Sequence, residues 1–374
     1  MKNSIFATVS SNFTSLRVAF DAKRLFHNRE GLGQYARTLV AGLQEAYPHH
    51  TYYLCTPSVS DNYPYFKDAS RFRYIMPSKR AGKLWRQRGV VRDLEKENID
   101  IYFGLSNELP TGLQKAGIKA VVSIHDLLYK VFPQQFSVAD RLIYNMKFKH
   151  AIKEADKIVV TSQHTKDDLE RLLNADSGKI ELIYQSTFPM EEDIEVPISS
   201  RKHFLSVGTI NERKNLKLIV EACNGLAEED RRPIIVVGKG KKYRKEVKVM
   251  IDKYGLGDYF KFLGNVTENH LKGLYKNAIA LLFPSKYEGF GRPVVESLSL
   301  GTPVIAMNTS SIPEVIGKHG IIIEYDMTDS LIAAMRKITN PTVAEGLLKG
   351  RQAHLQKFQK EEHITLIMNM LENI

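Results

Sequence analysis

The sequence predicts an α/β protein of two doubly wound domains, on three observations. Short β-branched or apolar runs alternate with longer amphipathic ones through both halves, the pattern of βα units around parallel sheets. The 374 residues are enough for two domains of about 150 residues each. Between the halves, Gln185 to Ser200 carries Pro189, Pro197 and the acidic run Glu191-Glu192-Asp193, a composition suited to a linker.

In the first half the strands are expected at Arg17 to Asp21, Thr51 to Thr56, Asp100 to Phe103, Lys119 to Ile124, Lys157 to Thr161 and Lys179 to Ile183. Leu32 to Tyr47, Val138 to Ala155 and His164 to Leu173 have the 3.6-residue helical period, and Thr161-Ser162 offers a capping hydroxyl before the last. The second half restarts with strand His203 to Val207, a turn at Gly208 and helix Asn215 to Leu226. Further strands follow at Pro233 to Val237, Tyr259 to Leu263, Ile279 to Phe283, Thr302 to Ala306 and Gly320 to Glu324, with a last helix at Glu361 to Leu371. The expected limits are a loosely ordered leader at 1–16, a first domain at 17–190, a linker at 191–200, a second domain at 201–357 and a terminal segment at 358–374. Ligands of doubly wound domains bind beyond the carboxyl ends of the strands, so the loops after the strands are where chemistry is expected.

Composition narrows the class. Cys55 and Cys223 are the two cysteines and form no ligand pattern, so neither a disulfide framework nor a zinc site is indicated. No apolar run approaches the roughly 18 residues of a membrane-spanning helix. A poor secretory signal and reducing-compartment cysteines suggest a cytoplasmic protein. The net charge of +11 is concentrated between Arg71 and Arg92, where eight cations and Trp85 occur without an acidic residue. In a helix, Lys79, Lys83 and Arg86 would share a stripe opposite Leu84, Val91 and Leu94, making an anionic membrane surface or another polyanion a candidate partner. A solvated basic face is the alternative.

Two loops carry the chemistry. Tyr287-Glu288-Gly289-Phe290-Gly291-Arg292-Pro293-Val294-Val295-Glu296 follows a strand and enters a helix, with Pro293 suited to its first turn. Gly289 and Gly291 permit close approach of a ligand to free amides, and Glu288 and Glu296, the latter in the first helical turn, can hold sugar hydroxyls. Alternatively, Glu288 is a solvated loop residue and Glu296 a capping partner. The second loop, from Gly208 to Leu216, contains Arg213 and Lys214, a guanidinium fork and a point charge that suit a diphosphate leaving group.

These residues resemble glycosyltransferase family 4 (group 1), the retaining, nucleotide-sugar-dependent enzymes of GT-B fold. Ser285-x-x-Glu288-Gly289-Phe290-Gly291-x-Pro293-x-x-Glu296 matches the E-x7-E element of the family, and Thr302 to Ala306 and Ser310 to Gly317 continue the likeness. In the first half, Gly31-Leu32-Gly33-Gln34-Tyr35, Ser123-Ile124-His125-Asp126-Leu127 and Ser162-x-x-Thr165-Lys166-x-Asp168-Leu169 are similar to family motifs.

The resemblance implies two Rossmann-like domains facing across a cleft, the first binding acceptor and the second the nucleotide sugar, with the last helix crossing back to the first. It implies that Glu288 contacts the donor sugar, Glu296 the ribose, and Arg213 and Lys214 the diphosphate. Gly208 and the Gly289-Phe290-Gly291 backbone would lie beside the donor, Gly33 would approach its phosphate, and His125 would line the sugar. His125 could equally be a hydrogen-bonded core histidine. Arg292 stands where the family usually carries an aliphatic residue. The implied activity is transfer of a hexose-type sugar, with GDP-mannose the first donor to test, to a saccharide or lipid-linked saccharide acceptor of a surface polysaccharide. The nucleotide sugar is a substrate and no cofactor is expected. The chain has no Asp-x-Asp triplet, so metal independence is expected; no nucleic-acid partner is expected either. A nucleotide-sugar epimerase of the same architecture is the competing enzyme.

Overall fold

The computed structural model describes residues 15–78, 84–186 and 196–374; the leader up to residue 14, Lys79, Arg80 and Lys83, and linker residues 191–195 lie outside the described residues. The chain forms two compact units. One is built from the chain up to Ser123 with Lys147–Lys157 and Met368–Ile374, the other from Ile124–Met146 and Ile158–Ile367.

Thirteen strands are described: β1 Arg17–Asp21, β2 Thr51–Cys55, β3 Phe72–Ile75, β4 Ile101–Gly104, β5 Lys119–Ile124, β6 Lys157–Val160, β7 Ile180–Leu182, β8 His203–Val207, β9 Ile234–Val237, β10 Phe260–Gly264, β11 Ala278–Phe283, β12 Val304–Met307 and β13 Gly320–Ile323. They form two parallel sheets, ordered β3-β2-β1-β4-β5-β6-β7 and β10-β9-β8-β11-β12-β13. In the second sheet the order reverses between β8 and β11, which pair directly. Such a reversal leaves a crevice at the strand ends, because the connections leave on opposite faces. It also makes neighbours of the loop after β8 and the loop after β11, the two that carry the candidate chemistry.

The second sheet is buried on both faces, so its central strand reads as a continuous apolar run. Every residue of β11 is buried; Ala280 and Leu282 join one apolar cluster, with Val236 and Ile305, while Leu281 and Phe283 join the other, with Leu205 and Val295. That two-residue alternation is the strand pleat.

Most expected elements form where the residues predict them. The helix at Gln163–Leu173 begins on Ser162, whose side chain accepts from the Thr165 amide at 3.1 Å, as a capping hydroxyl should. The expected strands of the second half all form. One strand of the first half, β3, was not expected, because its Arg73 and the preceding Arg71 read as part of the basic stretch.

The basic stripe itself is corrected. Residues 84–96 form a short turn, Trp85–Gln87, and a helix, Gly89–Lys96, and the Arg86 guanidinium turns inward. It donates to Asp21 Oδ2 and Glu108 Oε2, both at 2.9 Å. Trp85 is buried and donates to Asp93, Arg71 pairs with Asp68, and Leu84, expected to face the protein, is exposed. The buried Asp21 and the half-buried Glu108 recruit Arg86, so the described cations do not form one free face.

Candidate active site

The site residues in the second sheet lie in one compact unit. After β8, Gly208 adopts φ +135°, and a Cβ there would sit 3.0 Å from Lys214 Cε. A single turn at Glu212–Lys214 follows, capped by Asn211, whose side chain accepts from the Lys214 amide at 3.1 Å. Asn215 then takes a left-handed conformation, φ 55°, and starts the helix Leu216–Gly225. This bend aims two successive side chains, Arg213 and Lys214, at the loop after β11.

Both cations reach the same carboxylate oxygen. Arg213 Nη1 lies 2.7 Å and Lys214 Nζ 2.6 Å from Glu288 Oε1. Arg213 Nη1 also donates to the Tyr287 carbonyl at 2.6 Å, and Lys214 Nζ lies over the Phe283 ring, 4.5 Å from its centre. Burial alone would push the Glu288 carboxyl up, but the charges of Lys214 and Arg213 outweigh it and hold the pKa at about 2. Burial and the neighbouring Arg213 lower the Lys214 pKa despite the attraction of Glu288. The alternative that Glu288 is a solvated loop residue is therefore set aside: its side chain is only 11% exposed and is the shared counter-ion of two largely buried cations, one of whose charges it leaves unbalanced. Between the ends of β8 and β11 the remaining space is about 10 Å³, room for roughly one water, because the Lys214 side chain fills it.

The loop carrying Glu288 is clamped along its length. The Glu288 amide donates to Ser310 Oγ at 2.8 Å, and Ser311 Oγ donates to the Glu288 and Phe290 carbonyls, both at 2.9 Å. The Phe290 ring packs among Tyr184 and Phe358, so its backbone is what it can offer a ligand. Gly291, φ +101°, caps the helix Arg292–Ser299, with Pro293 in its opening turn as expected. Glu296 is the fifth residue of that helix and not part of the first turn. Its Oε2 accepts from the buried Tyr275 hydroxyl at 3.1 Å and its Oε1 from Arg292 Nη2 at 3.3 Å. Arg292 is thus held against the second carboxylate of the pair and is mostly buried.

His125 and its neighbours meet this loop. An ideal Cβ on Gly289 would lie 2.0 Å from the His125 carbonyl oxygen, so only glycine allows the approach. Thr165 Oγ1 donates to the Gly289 carbonyl at 3.3 Å. The Tyr287 hydroxyl accepts from the Leu127 amide at 3.3 Å and donates to Asp168 Oδ2 at 3.0 Å. Burial opposes the charge of Asp168, but hydrogen bonds from His164, Arg171 and Tyr287 hold its pKa below the ordinary value. Glu314 receives the Gln163 and His164 amides at 2.9 and 3.2 Å, and the Tyr184 hydroxyl at 3.1 Å. Sequence reasoning quoted Asp168, Ser310, Ser311 and Glu314 within motifs but gave them no role; hydroxyl and carboxylate groups within those motifs were the signal. Gly33 belongs to the other compact unit, in the helix Gly31–Ala46, where a Cβ would collide with the Asn28 carbonyl at 1.8 Å.

Among the described residues one His/acid group has ligand-like spacing: His49, His50 and Glu372. His50 Nδ1 accepts from the Leu16 amide at 3.1 Å, so the neutral ring carries its proton on Nε2, facing Glu372 Oε1 at 3.5 Å. A metal at Nε2 would have to displace that proton and break the Leu16 bond.

Residues 29–186 match the Glycosyltransferase Family 4 model and residues 190–344 the Glycosyl transferases group 1 model. The O-antigen chain mannosyltransferase B of Escherichia coli is 29% identical over 66% of this chain and 66% of its own length. The O-antigen chain mannosyltransferase RfbU of Salmonella typhimurium is 28% identical over 58% of this chain and 60% of its own. The chain thus spans about two thirds or less of the length of these relatives. Among solved structures, Anabaena HepE in complex with UDP and glucose shares the fold at TM-score 0.73 and 16% identity, covering 96% of this chain and 100% of that one. WaaG, a glycosyltransferase involved in lipopolysaccharide biosynthesis, does so at TM-score 0.69 and 17% identity, covering 94% and 99%. Matched by one glycosyltransferase model in its first half and another in its second, on the GT-B fold of solved glycosyltransferases, the chain belongs to the family 4 (group 1) glycosyltransferases.

Proposed function

We infer that the protein transfers a hexose, mannose first among candidates, from a nucleoside diphosphate sugar to a hydroxyl of a saccharide acceptor, with retention at the anomeric carbon. The observation that carries this reading is the convergence of Arg213 and Lys214 on Glu288 at the strand ends. Two fixed cations held by one carboxylate leave a net positive spot, and a donor diphosphate is the natural second counter-ion. During transfer the sugar–phosphate bond breaks with its electron pair on the diphosphate oxygen, the acceptor oxygen bonds to the anomeric carbon, and the acceptor proton leaves with the diphosphate. Preorganised cations stabilise that growing charge without reorganising at the moment of cleavage. Glu288 then faces the sugar and Glu296 the ribose, the roles that the family resemblance implies. His125 lines the sugar.

GDP-mannose is favoured because both relatives named above are O-antigen mannosyltransferases. The O-antigen chain in the same names supports a growing surface saccharide as acceptor; a lipid carrier for that saccharide, and with it a position of the enzyme at the cytoplasmic face of a membrane, completes the reading. No helix of the described residues is long and apolar enough to cross one, so association would be peripheral. The epimerase reading is not favoured, since the matched relatives are named as transferases. The test follows donor cleavage by proton NMR. GDP-α-mannose with acceptor should give an α-linked product, and its slow hydrolysis should release α-mannose first. A β-linked product would overturn retention, and interconversion of the donor sugar without transfer would restore the epimerase.

A further inference from the structure

We propose that the protein forms a two-fold dimer through the open edge of its second sheet, β13 of one copy pairing antiparallel with β13 of another. β13 ends the strand order, so one side of its backbone meets β12 and the other meets no strand among the described residues. The Ile323 carbonyl accepts from the Asn308 amide at 2.9 Å, which turns Ile323 toward the β12 side. Backbone groups of successive residues alternate sides along a strand, so those of Gly320 and Ile322 point outward. Side-chain exposure alternates through the same stretch. His319 and Ile323 are buried and Ile321 is partly so, while Lys318, Ile322 and Glu324 are exposed. This period of two carries the extended run from Lys318 to Glu324. Just beyond it, Tyr325 and Met327 are each 51% exposed. An unpaired edge flanked by apolar side chains is a template for another strand.

The residues along the edge select a second copy as that strand. A two-fold axis at Ile321 sets outward residues opposite one another: Gly320 stands against the partner's Ile322, and Lys318 against the partner's Glu324. The Gly320 and Ile322 pairs exchange amide and carbonyl bonds, and each Ile322 side chain lies over a glycine that leaves room for it. The symmetry makes the ion pair twice. Neither Lys318 nor Glu324 has an ion-pair partner within the chain among the described residues. A slip of one residue sets outward groups against inward ones, and a slip of two breaks both ion pairs. Charges on an edge usually keep strands apart, but under this two-fold they are complementary. None of these residues belongs to the candidate active site, so the proposal is independent of the proposed reaction.

The test is sedimentation equilibrium of the full chain without donor. The parent should dimerise with a Kd on the order of 10 μM, the weak end suited to a small interface. Lys318→Glu and Glu324→Lys should each weaken the dimer about tenfold or more, because each sets like charges opposite one another twice. An equimolar mixture of these two variants should dimerise again as a mixed pair, since each new carboxylate meets a new ammonium and each retained Lys318 meets a retained Glu324. Ile322→Pro deletes an outward amide and should abolish pairing, an edge strand being where proline is tolerated. These are edge positions, so melting points should stay near that of the parent; if Ile322→Pro misfolds, the charge exchange still decides. A parent that is monomeric at about 100 μM would overturn the proposal. So would single reversals that dimerise as tightly as the parent, or a mixture that stays monomeric.

Discussion

Replacing Glu288 by Ala removes one carboxylate and leaves two cations, Arg213 and Lys214, buried beside each other. Their side chains are 17% and 15% exposed. Breaking a buried pair by deleting one partner costs about 3–5 kcal/mol, because the remaining charge has lost its counter-ion. Arg213 keeps the Tyr287 carbonyl at 2.6 Å, so the low end, about 3 kcal/mol, is the appropriate figure. In a unit of this size that lowers the melting midpoint by about 6–12 °C. The assay is a thermal melt at pH 7 in a buffer without phosphate. Added nucleoside diphosphate should recover part of the loss by supplying an anion to the same cations. Glu288→Gln adds a test of charge. The folded carboxyl has a pKa of about 2, against an ordinary value of 4.5. Between those values the unfolded chain takes up the proton first, so the stability that Glu288 contributes is complete above about pH 4.5 and lost as pH falls toward 2. The gap between parent and Glu288→Gln should narrow through that window. A Glu288→Ala midpoint within about 1 °C of the parent, the range of an ordinary surface change, would refute the reasoning. So would a gap that does not vary between pH 5 and pH 3.

Arg292→Met should raise the donor KM about 5- to 20-fold with little change in kcat, by freeing the Glu296 carboxylate from one of its two holders. The effect should vanish with a nucleotide lacking the ribose hydroxyls; an equal effect on both would detach Arg292 from the ribose. Asp168→Ala should cost about 1–3 kcal/mol in thermal unfolding, since the Tyr287 hydroxyl is left buried without its acceptor; an unchanged midpoint would mean the network carries no load. Transfer should survive EDTA, because Arg213 and Lys214 supply the charge that a bridging metal would otherwise provide; loss on chelation with recovery by Mg²⁺ or Mn²⁺ would contradict this.

The fold was legible where one physical signal dominates. Ala278 to Phe283 could only be a buried strand, and Ser162 capped the helix it was read to cap. What sequence missed depended on partners far along the chain. Arg86 looked like part of a free stripe because Asp21 and Glu108, its anchors, lie 65 and 22 residues away. That Glu288 is the shared counter-ion of Arg213 and Lys214 was hidden because those cations stand 75 and 74 residues earlier, and only the pairing of β8 with β11 brings the loops together. The β3 strand was hidden by Arg73, whose exposed side chain fits an edge position and gives no apolar signal there.

The most direct test of the central claim is isothermal titration of nucleotide sugars, GDP-mannose first, into the parent and into an Arg213→Ala, Lys214→Ala double variant, with circular dichroism confirming that the variant is folded. If the two cations hold the donor diphosphate, one nucleotide sugar binds the parent and the double variant loses about a hundredfold or more in affinity, from about 1.5–3 kcal/mol per charged hydrogen bond. Equal affinity in parent and double variant would place the diphosphate elsewhere, and no binding by any nucleotide sugar would contradict the proposed transferase reaction itself.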